Sequence, residues 1–396
     1  MYIGIRTRQE VEAQALTMAS HVASLRGWHT ALARAEIASL LPEASLKRLP
    51  ARRMVQLEGE ISAERMLEAV NCSSGCQALL SHAVLWSRGD GIDSLLERMG
   101  AYIQAHVRTG SVAVRSWKHE GKMEGVSARE LMRKIGGMLS KQGYQIDLEQ
   151  PDHRLGMVLD AKAGIIACGW MIGTGDDSDG ISARRATDRP FFKPVSLDPR
   201  LARLAVNLAS GPLQKGVTLD LMTGTGGFVL EAAVSGREAY GIDLDPEMIE
   251  GAQRNLDWAE QVSNASLLLG DATRLAEVLP KDALHRISGF VLDPPYGRNS
   301  QGTLEPTALI RAVLESSHSV AASDAHFVLI VPIHPFGEHA EEALPEDASV
   351  ELLHGQWDEL QACFEQTGWR LLGRWVEHVH ASLGRLILHA TIVPRD

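Results

Sequence analysis

The chain has 396 residues, 45% of them hydrophobic and 22% charged, which is room for two or three ordered domains and too apolar for a disordered chain. No run approaches the ~18 apolar residues a membrane span needs, and the opening Met1-Tyr-Ile-Gly-Ile-Arg-Thr-Arg meets charge too early for a secretory signal, so a soluble, cytoplasmic protein is expected. The net charge of −11 argues as a whole against a nucleic-acid partner, but residues 1–200 carry 26 Lys and Arg against 23 Asp and Glu, leaving 13 against 27 for the rest.

In chain order, helical periodicity covers Glu10 to Ser24 and Ala31 to Leu41, and Met54 to Glu58 alternates as a strand. A capped helix is predicted from Ser62 to Val70. Val112 to Trp117 alternates again, and Ser127-x-x-Glu130 is a capping box opening a basic helix from Ala128 to Gln142. Strands follow at Gln145 to Leu148, Gly156 to Asp160 and Gly164 to Ile172, which makes the front half a mixed α+β region. Gly173 to Asp188 is rich in Gly, Asp, Ser and Arg and reads as a linker. Beyond it an extended Phe191-Phe-Lys-Pro-Val-Ser-Leu-Asp-Pro199 leads into a helix from Arg200 to Ala209, and its paired Phe residues need a hydrophobic dock.

From Val217 strands and helices alternate. Strands are predicted at Val217 to Leu221, Ala239 to Ile242, Ser266 to Leu269, Gly289 to Leu292 and His326 to Val331. The helices between and after them are Gly227 to Ser235, Pro246 to Trp258, Pro306 to Val320 and Trp357 to Gly368. Two closing strands, Trp369 to Glu377 and Gly384 to Val393, complete the pattern. The expected class is therefore α/β, with a doubly wound, mostly parallel Rossmann-like sheet ending in an antiparallel hairpin.

Four acids fall at the ends of predicted strands. Leu219-Asp-Leu-Met-Thr-Gly-Thr-Gly-Gly-Phe228 is a strand, a glycine turn and a helix start, where backbone amides face a ligand. Gly224-x-Gly226-x-x-Val229 lacks the third glycine of a dinucleotide fingerprint, and no lysine makes a P-loop, so a nucleoside without pyrophosphate fits better. S-adenosyl-L-methionine is such a ligand. Asp243 closes the next strand, where an acid accepts ribose hydroxyls, and Asp271 of Gly270-Asp271 can accept an adenine amine. Asp245, before Pro246, reads as a helix N-cap. The sharpest motif is Asp293-Pro294-Pro295-Tyr296. Its prolines lack backbone donors and turn carbonyls outward, Asp293 adds a carboxylate, and Tyr296 can stack on an extruded base. Such acceptors suit an exocyclic base amine, whose lone pair is conjugated with the ring. Cys72, Cys76, Cys168 and Cys363 form no disulfide or zinc pattern, and the 15 histidines no metal motif, so no metal is expected.

These motifs together resemble class I methyltransferases acting on exocyclic amines of nucleic acids. Arg189-Pro-Phe-Phe-x-Pro, Leu197-x-Pro-x-Leu-Ala-Arg203, Asp293-Pro-Pro-Tyr-Gly-Arg298 and His380-x-Ser-Leu-x-Arg385 resemble, more narrowly, the archaeal tRNA guanine-N2 methyltransferases that modify position 10. The resemblance implies a ferredoxin-like subdomain in residues 1–100, a THUMP-like RNA-binding domain in 101–180, a linker and cofactor lid in 181–210 and the methyltransferase domain in 211–396. It also implies that Asp220, Thr223, Gly224, Gly226, Asp243, Asp271 and Asp293 hold S-adenosyl-L-methionine, with Phe192, Pro194 and Leu197 closing over it. Asp293, Pro294 and Tyr296 would act on the guanine amine. Arg184, Arg185 and Arg189 form one basic cluster placed to meet RNA, and Arg298 and Arg385 either steer phosphates or pair with acids. The implied partner is tRNA, with a small activator subunit in some relatives. The same chemistry on another tRNA position, on ribosomal RNA or on adenine is the nearest alternative, and a non-catalytic RNA-binding protein of the same fold is the second.

Overall fold

The computed structural model describes residues 20–173, 180–194, 196–213, 216–259, 263–295, 305–335 and 342–394. They fall into two compact units. The first comprises described residues of Met1–Gly27, Pro42–Asn71 and Cys76–Ser178; the second those of Trp28–Leu41, Cys72–Gly75 and Asp179–Asp396.

The first unit contains β1 (Ser20–Leu25), and after it the chain enters α1 (Thr30–Leu40), which belongs to the second unit. The first unit continues with β2 (Ser45–Arg48), β3 (Met54–Glu58), α2 (Ala63–Cys72), β4 (Cys76–Ser87), α3 (Ile92–Ala105) and β5 (Ser111–His119). Then come α4 (Ala128–Lys141), β6 (Gln145–Ile146), β7 (His153–Asp160) and β8 (Ile165–Ile172). All eight strands form one sheet, in the order β2-β3-β1-β4-β8-β7-β5-β6, so the strands on either side of residue 100 share a single layer. Ser127 caps α4 by accepting the Glu130 amide at 3.3 Å, and Ser62 accepts the Arg65 amide at the start of α2 at 3.2 Å.

Four elements here differ from the sequence reading: β1, β2, β4 and α3. The end of the helical stretch Glu10 to Ser24 is strand β1, and its earlier residues lie outside the described ones. β2, β4 and α3 were not predicted, although α3 buries Leu95, Met99, Tyr102 and Ile103 at helical spacing. β4 is a twelve-residue strand whose register with β8 shifts between Ser81 and Val84, where His82 takes a φ of 47°. A bulge of this kind interrupts the alternation by which a strand is recognised.

The second unit follows with α5 (Pro199–Ser210), β9 (Val217–Asp220), α6 (Gly227–Val234), β10 (Ala239–Asp243), α7 (Pro246–Trp258), β11 (Ala265–Leu269) and α8 (Leu275–Val278). β12 (Ile287–Leu292), α9 (Pro306–Val320), β13 (Ala321–Ile333), α10 (Trp357–Gln366), β14 (Trp369–His380) and β15 (Leu383–Ile392) complete it. The seven strands are ordered β11-β10-β9-β12-β13-β15-β14. β11, β10, β9, β12 and β13 run parallel, and β15 enters antiparallel between β13 and β14.

Both faces are buried, as helical crossovers require. On one face Val291, Val328 and Ile330 pack with Leu204, Leu208, Phe228 and Leu256 of the helices α5, α6 and α7. On the other, Phe290, Phe327 and Leu329 pack with Ile310, Leu314, Leu360 and Phe364 of α9 and α10. Helix α1 joins the first of these layers through Ala31 and Leu32. Its Glu36 is fully buried and accepts hydrogen bonds from the Ser74 amide at 2.9 Å, the Gly75 amide at 2.8 Å and Asn207 Nδ2 at 2.8 Å. A front-half helix thus completes the core of the C-terminal sheet.

Candidate active site

In an open α/β sheet, ligands sit outside the carboxyl ends of the strands, where the strand order reverses. That place is between β9 and β12, neighbours in space but not in sequence. Across the sheet, the acids following or ending β11, β10, β9 and β12 are Asp271, Asp243, Asp220 and Asp293. The structure brings all four predicted acids to one rim.

The turn after β9 is tied to both neighbouring strands: the Leu221 amide donates to Val291 O at 3.1 Å and the Thr223 amide to Ile242 O at 2.8 Å. Gly224 and Gly226 then take φ of 49° and 80°, which L side chains rarely adopt, and a Cβ on Gly224 would meet nothing within 4 Å. The turn therefore offers open backbone on its outer side and starts α6 with no side chain capping its amides. Asp243 accepts from the Gly224 amide through Oδ2 at 2.8 Å and from the Asp245 amide through Oδ1 at 3.0 Å, so both oxygens are oriented and keep lone pairs for hydroxyls. Asp271 accepts from the Thr273 amide at 2.9 Å and its hydroxyl at 2.8 Å, both through Oδ1. Asp245 caps α7 through the Glu247 amide at 2.8 Å.

Asp220 is 1% exposed. Thr223 Oγ1 donates to its Oδ2 at 2.8 Å, while Oδ1 is buried without a hydrogen bond. Burial, opposed by the Thr223 and Val229 donors and reinforced by Asp243 and Asp293, pushes its pKa up to about 7. Asp293 is half-buried, and desolvation likewise pushes it up to about 7, with Arg385 opposing and Glu377 reinforcing. An orphaned buried carboxylate oxygen, an unobstructed glycine turn and a carboxylate fixed at the next strand end suit a cationic nucleoside such as S-adenosyl-L-methionine.

The lid segment behaves differently from its prediction. Phe191, not Phe192, finds the dock: a Cβ on Gly251 of α7 would lie 2.1 Å from the Phe191 ring, so only glycine admits it. Asn255 clamps that segment, accepting the Phe191 amide at 2.9 Å and donating to Phe191 O and Thr225 O at 2.8 Å each. Phe192 is 42% exposed and Pro194 is exposed, whereas Leu197 is packed into the core beside α5 and α6.

Two of the basic candidates lie inside the fold rather than on its surface. Arg184 is buried and donates to both oxygens of Glu231, at 2.9 and 3.0 Å, and Arg203 pairs with the same carboxylate at 2.9 Å. Arg189 is 5% exposed and donates from Nε to Arg184 O at 3.1 Å. Arg184 is thus committed to Glu231 inside the fold, whereas Arg189 is buried with Nη1 and Nη2 without a hydrogen-bond partner among the described residues. Arg185 stays exposed, and Arg385 pairs with Glu377 at 3.0 Å beside the rim. Tyr296 and Arg298 lie outside the described residues. Sequence reasoning missed Glu377, which lies on β14 opposite Arg385, and Leu244, an apolar residue next to Asp243 that is 65% exposed at the rim. Asn255 gave no signal, because its partners lie 64 and 30 positions away.

This sheet order, with a glycine turn at the reversal point and four acids along the rim of strand ends, defines a Rossmann-like methyltransferase domain. In agreement, the family model for UPF0020, an RMKL-like methyltransferase domain, matches residues 186–361. The tRNA (guanine(10)-N2)-dimethyltransferase of Pyrococcus abyssi is 29% identical over 77% of this chain and 81% of its own length. That of Methanothermobacter thermautotrophicus is 31% identical over 64% of this chain and 71% of its own. The chain belongs to the tRNA (guanine(10)-N2)-dimethyltransferase family. Among solved structures, TrmN from Thermus thermophilus is 19% identical, with a TM-score of 0.46 over 95% of this chain and 100% of that one.

Proposed function

We propose that the protein methylates the exocyclic N2 amine of a guanine in tRNA, at position 10, using S-adenosyl-L-methionine. The observation that carries this reading is the placement of Asp293 and Pro294 at the end of β12, across the reversal point from Asp220. Asp220, Asp243 and Asp271 with the turn at Gly224 and Gly226 would hold the cofactor, which supplies an electrophilic methyl group.

The remaining work belongs to the chain. The Asp293 carboxylate and the Pro294 carbonyl accept the amine hydrogens, which draws the nitrogen lone pair out of conjugation, and Asp293 then receives the proton lost on methylation. Orientation of this kind is worth up to about 7–11 kcal/mol, more than the ~10²- to 10⁴-fold of a general base alone. Extruding the base costs a few kcal/mol. RNA contacts by the more basic front region, in the role of a THUMP-like module, would offset that cost. Tyr296 and Arg298 are assigned to base stacking and phosphate contact by their place in the motif.

The test is mass analysis of nucleosides from unmodified tRNA incubated with the protein and S-adenosyl-L-methionine. N2-methylated guanosine is expected, and Asp293→Asn should lower turnover by 10³-fold or more while cofactor affinity changes less than threefold. Methylated adenosine as the product would overturn the assignment of guanine.

A further inference from the structure

We infer that Arg385 reads the C6 oxygen of the target base and so makes the site select guanine over other 2-amino purines. This rests on the guanine-N2 reading above and adds a specificity residue to it.

Arg385 lies on β15, in register with Pro332 of β13 on one side and Glu377 of β14 on the other. Its Nη1 donates to Glu377 Oε2 at 3.0 Å, and 21% of the side chain is exposed. Among the described residues no other hydrogen bond is made by this guanidinium, so Nε and Nη2 remain as oriented donors at an accessible surface. It also sits close enough to Asp293 to be the foremost charge acting on that carboxyl. The strands on which it stands are thus folded to bring a donor-only group beside the amine acceptors.

Guanine presents on one edge the N2 amine, a donor, and the C6 oxygen, an acceptor. An adenine-like C6 amine would place donor against donor. Guanidinium contact with the guanine C6 oxygen is a favoured pairing in base recognition. A guanidinium already held by Glu377 has less freedom to lose when it binds. The alternative, a backbone phosphate, fits this spot poorly, because Asp293 and Glu377 flank the Arg385 guanidinium with carboxylates that would repel it.

The test uses the full chain and tRNA carrying either guanosine or 2-aminopurine ribonucleoside at position 10, under single-turnover conditions with protein in excess. 2-Aminopurine keeps the N2 amine and lacks the C6 oxygen. The unaltered protein should prefer guanosine by 10²-fold or more, since a site built to bond a polar group rejects the analogue without it. At about pH 9, where Asp293 is ionised with or without the Arg385 charge, Arg385→Met should lose about 10²-fold on guanosine and less than threefold on 2-aminopurine, and Arg385→Lys should recover part of the preference. RNA affinity should stay within threefold in both variants. Equal losses on the two bases, or no preference in the unaltered protein, would overturn the inference. If the unaltered protein leaves guanosine unmethylated, the activity itself is wrong and the inference falls with it.

Discussion

Asp293 is asked to accept a proton at physiological pH, and its surroundings set when it can. Desolvation raises its pKa to about 7, Arg385 pulls it down and Glu377 pushes it up. The ionised form is the acceptor, so kcat/KM should rise with pH up to about 7 and level off above. Replacing Arg385 by Met removes the opposing charge and should move that acid limb to higher pH, whereas Glu377→Gln should move it lower. A pH–rate profile for each variant checks this, and limbs that coincide would show that another group titrates. The strand-end acids were legible in the sequence because each follows an apolar run and precedes a turn or a proline. The burial of Arg184 and Arg189 was not legible, for the opposite reason. A basic residue in a Gly- and Asp-rich stretch looks solvated until its partner is seen, and Glu231 lies 47 positions from Arg184.

Between the glycine turn and the segment entering α5 stands one side chain of α7. Asn255 is fully buried, and its three hydrogen bonds fasten Phe191 and Thr225 to the same helix. The Phe191 ring fills the notch at Gly251 and has two cations over it, Arg254 at 5.0 Å and Lys193 at 5.2 Å from its centroid. Asn255→Ala should strand buried amide and carbonyl groups and destabilise the protein by about 2–4 kcal/mol. It should also weaken cofactor binding severalfold, because Thr225 lies within the turn. Thermal unfolding and cofactor titration on the same sample measure both, and an unchanged melting temperature would refute the clamp. At this scale the alternating part of the chain was readable, since period-2 and period-3.6 runs are separated there by glycine, proline and N-cap signals. β4 was not, because its run from Cys76 to Leu80 is mostly buried and does not alternate with polar residues.

Over the whole molecule, the sequence suggests a simple arrangement in which a front half binds RNA and a back half carries chemistry, divided near residue 180. The contacts are less separable. The C-terminal unit includes Trp28–Leu41 and Cys72–Gly75, two pieces threaded out of the front half. Nothing local announces this, since α1 carries no marked apolar stripe, none of its residues is exposed, and its partner Asn207 on α5 comes some 170 residues later. A chain starting at Asp179 would therefore keep every strand of the C-terminal sheet and still lose α1. Leu201, Leu204 and Leu208 belong to a cluster that would lose Ala31 and Leu32, and Asn207 would lose both the Glu36 carboxylate and the Cys72 carbonyl, each 2.8 Å away. His29, whose Nε2 lies 3.0 Å from Val376 O on β14, would leave that contact as well. Apolar surface and unpaired buried polar groups are the two commonest sources of large destabilisation. The truncated chain should accordingly melt well below the full-length protein or aggregate, and fail to bind S-adenosyl-L-methionine even though every proposed cofactor residue is present. Adding a peptide covering Trp28–Leu41 should raise its melting temperature in a concentration-dependent way, as any ligand of the native state does. A truncated protein as stable as the full chain, and indifferent to the peptide, would show that the C-terminal unit does not depend on α1.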